Sequence, residues 1–444
     1  MAKWAADFAL AVEVQQNVIN LVLDKFIQAL KAILKYTAKL GRIGSIEAEV
    51  IDLSILDLND PPPLGAVLTD IQAEGTFKLK LFGLRIVNTN IVFKIEQVEV
   101  NLSRTAAGLP KGIVINITPG MKVSLTFPNS RFIVKWLLNS IVGPLISFGV
   151  WLAFRIIRKV EIPVWELVDI FGALGLRFTP DSPLLTAQKA PPPTSLLLAS
   201  DFNLTDPLRG KGPNLKHFIP ASTNLGAVVH ERVLSAAVQL AFAKGWVPSR
   251  FRVGKYKIYI NSVNIEFKQD KVVATGMLKA KRGKCWCKVK AKITFSAAVM
   301  PKAVNTQTSN PMVDFKYDAN VNTQVSMQGM LVVLGVVMFA PVFMSLTVSM
   351  SFLINLVLNQ FLPFSTSWSQ SGANLTIQAN SLNFSGFVPF NMNFPLLLNG
   401  NGNYDLSRFQ QFQLPNNGPN IRVKFTPESI SIQEDELRVA IELK

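Results

Sequence analysis

A short phrase near the middle of the chain returns close to its end, and this repeat constrains the fold more than any other feature. Arg177-Phe-Thr-Pro-Asp-Ser182 reappears as Lys424-Phe-Thr-Pro-Glu-Ser429, with four identical positions and charge kept at the other two. Each phrase closes a half that opens with an amphipathic segment, continues through alternating strands and includes a nearly uncharged apolar segment. Self-similarity at so long a period predicts two related domains in tandem rather than a solenoid. We expect a first module at 1–190, a crossover at 191–221 and a second module at 222–444.

The composition contains more apolar surface than an ordinary soluble domain needs to bury in its core. Of the 444 residues, 49% are hydrophobic and only 17% are charged, with a mean hydropathy of +0.29. A chain of this length exceeds a single core, which agrees with two domains. The excess apolar surface indicates membrane spans, a large subunit interface, or an internal cavity for an apolar ligand.

The positive charge is concentrated in one part of the chain. The net charge is +16, and residues 209–316 hold 20 Lys and Arg against 4 Asp and Glu. From Ala319 to Tyr404 the chain then has no charged residue. A basic surface of this kind favours an anionic partner such as phospholipid headgroups, lipopolysaccharide or nucleic acid.

The densest basic segment reads as a hairpin. From Ala274 to Ile293, lysines alternate with apolar residues on both sides of a turn at Arg282-Gly283, which is the period of a strand. Edge lysines that block aggregation would give a similar but sparser pattern. We favour an anionic contact surface and expect little nucleic-acid binding, because Trp286 is the only aromatic residue among these lysines. The expected contact residues are Lys279, Lys281, Arg282, Lys284, Lys288, Lys290 and Lys292.

Each half opens with a pattern typical of a helix. Apolar and polar residues recur every three or four positions across 7–36 and again from about Leu225 to Lys244, and the apolar side of the first matches that of the second. The apolar segment Trp136–Phe154 and the segment Gln324–Pro363, strand first and helix from near Pro341, are read as soluble helices rather than membrane spans because each contains several polar residues. The last segment, Glu428 to Lys444, alternates as a strand.

Targeting and catalytic signals are weak. The first residues lack the basic region of a secretory signal, so we expect a cytoplasmic or non-classically exported protein that is soluble to peripherally membrane-bound. Cys285 and Cys287 are the only cysteines and are expected to be core residues, without a metal or other cofactor. No nucleophile elbow, phosphate-binding loop or metal cluster is present, so we expect no enzyme activity.

The repeated order of elements resembles that of the tubular lipid-binding (TULIP) superfamily. The layout is similar to the bactericidal/permeability-increasing and lipopolysaccharide-binding protein branch, and to the TULIP-type proteins encoded beside clostridial neurotoxins. The resemblance implies an α+β fold of two tandem TULIP-like modules, each a highly twisted antiparallel sheet wrapped around long apolar helices.

The same resemblance implies a tunnel for acyl chains in each module, with phospholipid or fatty acid as ligand and an anionic membrane surface as partner. The alternative is a non-enzymatic component of a toxin or secreted complex that uses the fold as a scaffold for a protein partner. The expected tunnel lining is Val18, Val22, Phe26, Leu138, Ile141 and Leu145 in the first module, and Val233, Val238, Phe242, Val348, Phe352 and Leu356 in the second.

Overall fold

The computed structural model of the chain is built mainly from antiparallel β-sheet. It describes residues 4–30, 35–40, 44–59, 67–82, 84–104, 110–116, 122–126, 161–163, 175–177, 179, 184–188, 194–204, 208, 210, 215–245, 249–253, 256–282, 288–304, 312–328, 366–375, 378–379, 390–405, 411–413, 420–422, 424–433 and 435–443. Within these residues there are two helices, and the strands form sheets of six, eight and seven strands and one two-stranded pair.

The elements of the two halves follow one another in a similar order. The first half contains β1 (Leu10–Gln15), α1 (Gln16–Leu30), β2 (Lys35–Leu40), β3 (Gly44–Asn59), β4 (Val67–Leu81), β5 (Leu84–Arg104), β6 (Pro110–Asn116), β7 (Lys122–Thr126), β8 (Glu161–Pro163), β9 (Leu184–Gln188) and β10 (Ser195–Ser200). The second half contains β11 (Leu225–His230), α2 (Glu231–Ala243), β12 (Arg250–Val253), β13 (Tyr256–Lys268), β14 (Lys271–Arg282), β15 (Lys288–Val304), β16 (Met312–Gln328), β17 (Thr366–Leu375), β18 (Gln378–Ala379), β19 (Phe390–Asp405), β20 (Gln411–Gln413), β21 (Asn420–Arg422), β22 (Phe425–Gln433) and β23 (Glu436–Leu443).

The six-stranded sheet, here called the central sheet, takes strands from both halves in the order β22-β23-β11-β1-β10-β9. Leu10 lies opposite Val229 and Val14 lies opposite Leu225, so the middle pair is symmetric about Val12 and Ala227. Each half therefore contributes the strand that precedes its helix and the last two strands of its described part.

The other two large sheets are each built from one half. The first-half sheet has the order β2-β3-β4-β5-β6-β8, with β7 also paired to β5, and the second-half sheet has the order β12-β13-β14-β15-β16-β19-β17, with β18 paired to β19. Many of these strands are long, up to 21 residues in β5. Bulges interrupt the β3–β4 register in two places, which allows long strands to twist.

Both helices are fastened to a sheet edge by polar side chains. Among the described residues, β2 pairs with Gly44–Glu49 of β3, and α1 covers the edge further along. There Asn20 donates from Nδ2 to the Ile55 carbonyl at 3.1 Å and accepts from the Ile55 amide at 2.7 Å, as a neighbouring strand would. In the second half Ser235 donates to the Ile265 carbonyl of β13 at 2.8 Å. These bonds satisfy edge groups that would otherwise be open to other strands.

One face of the central sheet is covered by two irregular segments. The N-terminal residues Trp4–Phe8 and the stretch Leu215–Ile219 pack on it, and Ala5, Phe8, Leu215 and Phe218 belong to the same buried cluster as Ala11, Leu197, Ala199 and Val228 of the sheet. This cluster connects the two halves, because Ala11 lies on β1 of the first half and Val228 lies on β11 of the second.

The predicted fold class is wrong in its central feature. The structure is mostly strand, and the two described helices have 15 and 13 residues and lie against sheets, so it does not fit long apolar helices wrapped by a sheet. The helix expected at 7–36 begins as β1 and ends before β2, and the helix expected at 225–244 begins as β11. The physical reason is strand pairing: β1 has hydrogen-bonded neighbours on both sides, and its polar Glu13 and Gln15 find buried partners there.

Other local expectations are confirmed or corrected by the strands. Three segments alternate apolar and polar residues as a half-buried strand does, which predicts strands at Thr76–Leu81, Gly112–Thr118 and Met121–Phe127. Their described residues lie in or next to β4, β6 and β7, and residues 274–282 and 288–293 of the predicted hairpin pair as β14 and β15. The terminal segment is two strands rather than one, because the chain turns at Asp435, whose φ is +68°. Gln324–Pro363 starts as strand, as expected, in β16; its remainder and Trp136–Phe154 lie outside the described residues. No described helix is long and apolar enough to cross a bilayer.

Candidate anion-binding surface

The β14–β15 hairpin presents lysines on one face, as the sequence predicted. Lys279, Lys281 and Lys292 are exposed, whereas Leu278 and Ile293 on the opposite face are 1% and 0% exposed. The strand period and the antiparallel register together produce this separation. Lys288 and Lys290 occupy positions on the lysine face by register, Arg282 is the last residue of β14, and Lys284 lies outside the described residues.

The register aligns these cations in rows that run across four neighbouring strands. One row reads Arg252, Lys257, Lys281 and Lys290, from β12 to β15. The next row reads Arg250, Tyr259, Lys279 and Lys292. Adjacent strands lie about 4.8 Å apart and alternate residues about 7 Å apart, so the cations form a dense array.

The sequence analysis missed the part of this array that lies on β12 and β13. Arg250, Arg252 and Lys257 are exposed like the hairpin lysines. Their signal was present in the alternation Arg250-Phe-Arg-Val253, but its alignment with the hairpin is decided by strand pairing. We call the exposed set the cationic face: Arg250, Arg252, Lys257, Lys279, Lys281 and Lys292.

No described carboxylate neutralises the like charges on this face. None of the six side chains forms an ion pair with another residue that the structure describes. The Lys281 ammonium instead lies 5.3 Å from the centroid of the Tyr259 ring, in a cation–π contact. Directly opposed like charges destabilise a sheet, so this arrangement is typical of a surface kept for binding an anion.

The matching position in the first-half sheet carries a weaker version of the array. There the row reads Lys39, Ser45, Lys80 and Arg85. Lys80 pairs with Glu47 at 2.7 Å, so part of the charge is compensated. One cation of the first-half row is therefore compensated, whereas the six described cations of the cationic face form no ion pair.

The residues expected to line tunnels are only partly described. Val18, Val233 and Val238 are buried at 3%, 0% and 3% exposure, and Val22 and Phe242 are half-buried. Phe26 lies in α1, with its side chain outside the description. Leu138, Ile141, Leu145, Val348, Phe352 and Leu356 lie outside the described residues. The tunnel lining therefore stays a prediction.

A partly exposed apolar surface does appear on the central sheet. On the side away from the N-terminal segment, β11 and β23 pair Leu225 with Ile441, Ala227 with Val439, and Val229 with Leu437. All six side chains are half-buried, while the flanking Leu10 and Val12 of β1 are 5% and 8% exposed. We call these six residues the apolar central face.

Buried carboxylates hold the segments on the other side of that sheet. Glu13 is 0% exposed, accepts from the Phe218 amide at 2.8 Å and lies 2.5 Å from Nδ1 of His217. Asp201 accepts from the amides of Ala9 at 3.0 Å and Gly210 at 3.1 Å. Burial raises the pKa of the Asp201 carboxyl, partly offset by these two hydrogen bonds.

A half-buried arginine completes this layer. Arg438 donates to the Phe218 carbonyl at 2.9 Å and its guanidinium lies 4.3 Å from the centroid of the Trp4 ring. Burial lowers the pKa of Arg438. Each of these groups bonds to backbone or packs on an aromatic ring, which indicates a structural role. No three His, Cys, Asp or Glu side chains of the described residues come together as metal ligands.

Comparison with known proteins gives only distant structural matches. No family model and no curated protein matches the chain. Solved structures that match include P47 from Clostridium botulinum A2, at 10% identity, 99% and 98% coverage of the two chains and a TM-score of 0.32. P47 of Clostridium botulinum E1 matches at 8% identity, 99% coverage of both chains and a TM-score of 0.33. A lipopolysaccharide binding protein matches at 10% identity, 99% coverage of both chains and a TM-score of 0.24. At these values the matches establish neither a family nor a function.

Proposed function

We propose that the chain is a non-enzymatic lipid-binding protein whose cationic face contacts an anionic membrane surface. The observation that carries this proposal is the alignment of Arg252, Lys257 and Lys281 on three adjacent strands, continued by Arg250, Lys279 and Lys292 in the next row. Each Lys or Arg close to an anionic bilayer adds about 1 kcal/mol of attraction. Six exposed cations therefore supply enough attraction for stable but salt-sensitive attachment.

The shape of the cationic face favours a membrane over nucleic acid. The array extends both along and across the strands, which suits a surface of headgroups. Proteins that bind single-stranded nucleic acid combine cations with aromatic rings on which bases stack. Here Tyr259 is the aromatic residue within the described rows, and Lys281 already lies over its ring. A base would have to displace that contact.

The apolar central face supports the lipid-binding part of the proposal, because it offers apolar surface to the acyl chains of a lipid. Six half-buried aliphatic side chains on paired strands offer the kind of lining that pockets for apolar ligands use. The tunnel residues expected from the sequence, Val18 and Val233 among them, belong to this proposal as well. So does a relationship to the TULIP superfamily through internal duplication. Its support is the matched order of β1–α1 and β11–α2 and the symmetric pairing of β1 with β11.

Vesicle binding tests the membrane contact. The parent protein should sediment with vesicles of phosphatidylserine and phosphatidylcholine, bind far less to phosphatidylcholine alone, and be released by salt. The triple variant Lys279→Glu, Lys281→Glu, Lys292→Glu should lose this binding and keep its fold, because Leu278, Ala280 and Ile293 on the opposite face carry the core contacts. Equal binding by the triple variant would refute the role of the face. Tighter binding of the same samples to DNA or RNA would favour the nucleic-acid alternative.

Lipid uptake is tested separately. Mass spectrometry of organic extracts from the native protein should identify a bound lipid, and the delipidated protein should take up a fluorescent fatty acid or phospholipid with saturation. A protein that binds vesicles without taking up any lipid would be a membrane-attached scaffold. That result would favour a role as a complex component.

A further inference from the structure

The connection between β4 and β5 exposes a phenylalanine to an unusual degree. Phe82 is 81% exposed, whereas the other exposed large apolar side chains in the described part of the chain, Ile51, Leu56 and Leu397, lie between 41% and 53%. It follows Leu81, the last residue of β4, and β5 begins at Leu84. Phe82 therefore stands at the apex of a long hairpin, at one end of the first-half sheet.

The backbone at this apex is unfavourable for phenylalanine. Phe82 has φ +53°, in the left-handed region. Two-residue hairpin connections need positive φ at their first residue, and Asn, Asp or Gly normally supplies it. A bulky residue in that conformation is an outlier. Phe82 is strained and is not stabilised by burial. This combination indicates a function outside the folded core.

Cations flank the apex on both strands. Lys80 lies opposite Arg85 in the register, directly behind the closing pair Leu81 and Leu84, and Lys78 follows on β4. Arg85 is exposed, and neither it nor Lys78 forms an ion pair with a described residue, while Lys80 pairs with Glu47. The aromatic ring lies at the tip, and the cations lie one register position away from the closing pair. This order matches the surface of an anionic bilayer, where apolar groups enter the acyl region and cations remain among the headgroups.

We propose that Phe82 inserts into the bilayer and anchors the first-half sheet on the membrane that the cationic face contacts. This inference rests on the proposed function in one respect, namely that the partner is a lipid bilayer. A protein partner is disfavoured by shape, because a stable protein interface buries about 800 Å² on each partner and the apex of one hairpin is narrow and convex. Two separate contacts, one from each half, would orient the chain on the membrane.

Replacement of Phe82 by glycine separates insertion from folding. Phe82→Gly removes the ring and also relieves the left-handed strain, so stability in urea unfolding should be equal or higher. Partition onto phosphatidylserine and phosphatidylcholine vesicles should fall about 10-fold to 100-fold, the range expected from loss of one buried Phe side chain. Leu397→Ala is the matched control, since it removes another exposed apolar side chain, in mid-strand on β19, and should leave partition unchanged.

A second variant reports insertion directly. Phe82→Trp should keep vesicle binding, and its added emission should shift to the blue and be quenched by lipids brominated on their acyl chains. The parent, with seven native Trp, provides the background that is subtracted. This measurement decides the question even if the glycine variant unfolds.

The outcomes distinguish this inference from the proposed function. If the parent does not bind anionic vesicles, the proposed membrane contact fails. If the parent binds and both Phe82→Gly and Leu397→Ala bind equally well, or the added Trp is not quenched, insertion of Phe82 is refuted while the cationic face stands. Loss of binding in Phe82→Gly alone, with the added Trp quenched, supports insertion.

Discussion

The single substitution Lys292→Glu is expected to weaken membrane binding and strengthen the fold at the same time. Lys292 lies directly opposite Lys279 on β14 and opposite the neutral Gln324 on β16. The substitution turns a like-charge pair into an opposite-charge pair. Two exposed charges about 8 Å apart interact by about 0.5 kcal/mol in water, so reversal of the sign changes the energy by about 1 kcal/mol. Screening at physiological salt reduces this to roughly 0.3–0.5 kcal/mol.

The effect on binding has the opposite sign and is larger. Loss of one cation at an anionic surface removes about 1 kcal/mol, and the new carboxylate adds a repulsion of similar size. The sum of about 2 kcal/mol corresponds to a roughly 30-fold weaker partition. Vesicle sedimentation measures this loss, and urea unfolding followed by tryptophan fluorescence measures the gain in stability.

Lys316→Glu is the matched control, with the same change in net charge on the same sheet. Lys316 is exposed and lies opposite Met300 and Asn401, between Asp314 and Asp318 on β16. It is about 26 Å along the strands from Lys292, more than three Debye lengths at physiological salt. Its reversal should therefore lower stability slightly and reduce vesicle binding by less than about threefold. Equal losses of binding in both variants would show that net charge, rather than the cationic face, governs attachment, and a destabilised Lys292→Glu would refute the cross-strand argument.

Three further predictions concern the contacts that hold the fold. Glu13→Ala leaves the buried Phe218 amide without its acceptor and should lower the free energy of unfolding by about 1–3 kcal/mol; a loss below about 0.5 kcal/mol in urea would contradict the buried role. Because burial raises the pKa of Asp201, ionisation is harder in the folded state, so its contribution to stability falls as the pH rises from about 4 through the raised value. The stability of the parent should therefore decline relative to Asp201→Asn over that range, and a constant gap would argue against it. Asn20→Ala, which removes two bonds to Ile55, should cost more than Ser235→Ala, which removes one, with faster hydrogen exchange at the Ile55 amide as the direct readout.

The prediction that each half begins with a helix was wrong for a specific reason. In the segment Leu10–Gln15, Glu13 fits the polar stripe of a helix as well as the alternation of a strand, and Gln15 would be a single polar residue on the apolar side of that helix. A polar stripe is expected to face water, but both residues are buried and bonded to residues more than 200 positions away in the chain. No local pattern reveals such partners. The turn at Asp435 could have been predicted from the sequence, because the apolar residues lie at even positions up to Ile432 and at odd positions from Leu437.

What the sequence determined by itself is local. The alternation of lysines with Leu278, Ala280 and Ile293 specifies one charged and one buried face, since the strand period needs only the residues of the hairpin and its turn. Tertiary structure decided the rest, because the remaining arrangements depend on pairing between distant segments. Only strand pairing brings Arg252 and Lys257 into line with Lys281, and only the central sheet, assembled from both ends of the chain, converts Leu10–Gln15 from a plausible helix into a strand with partners on both sides.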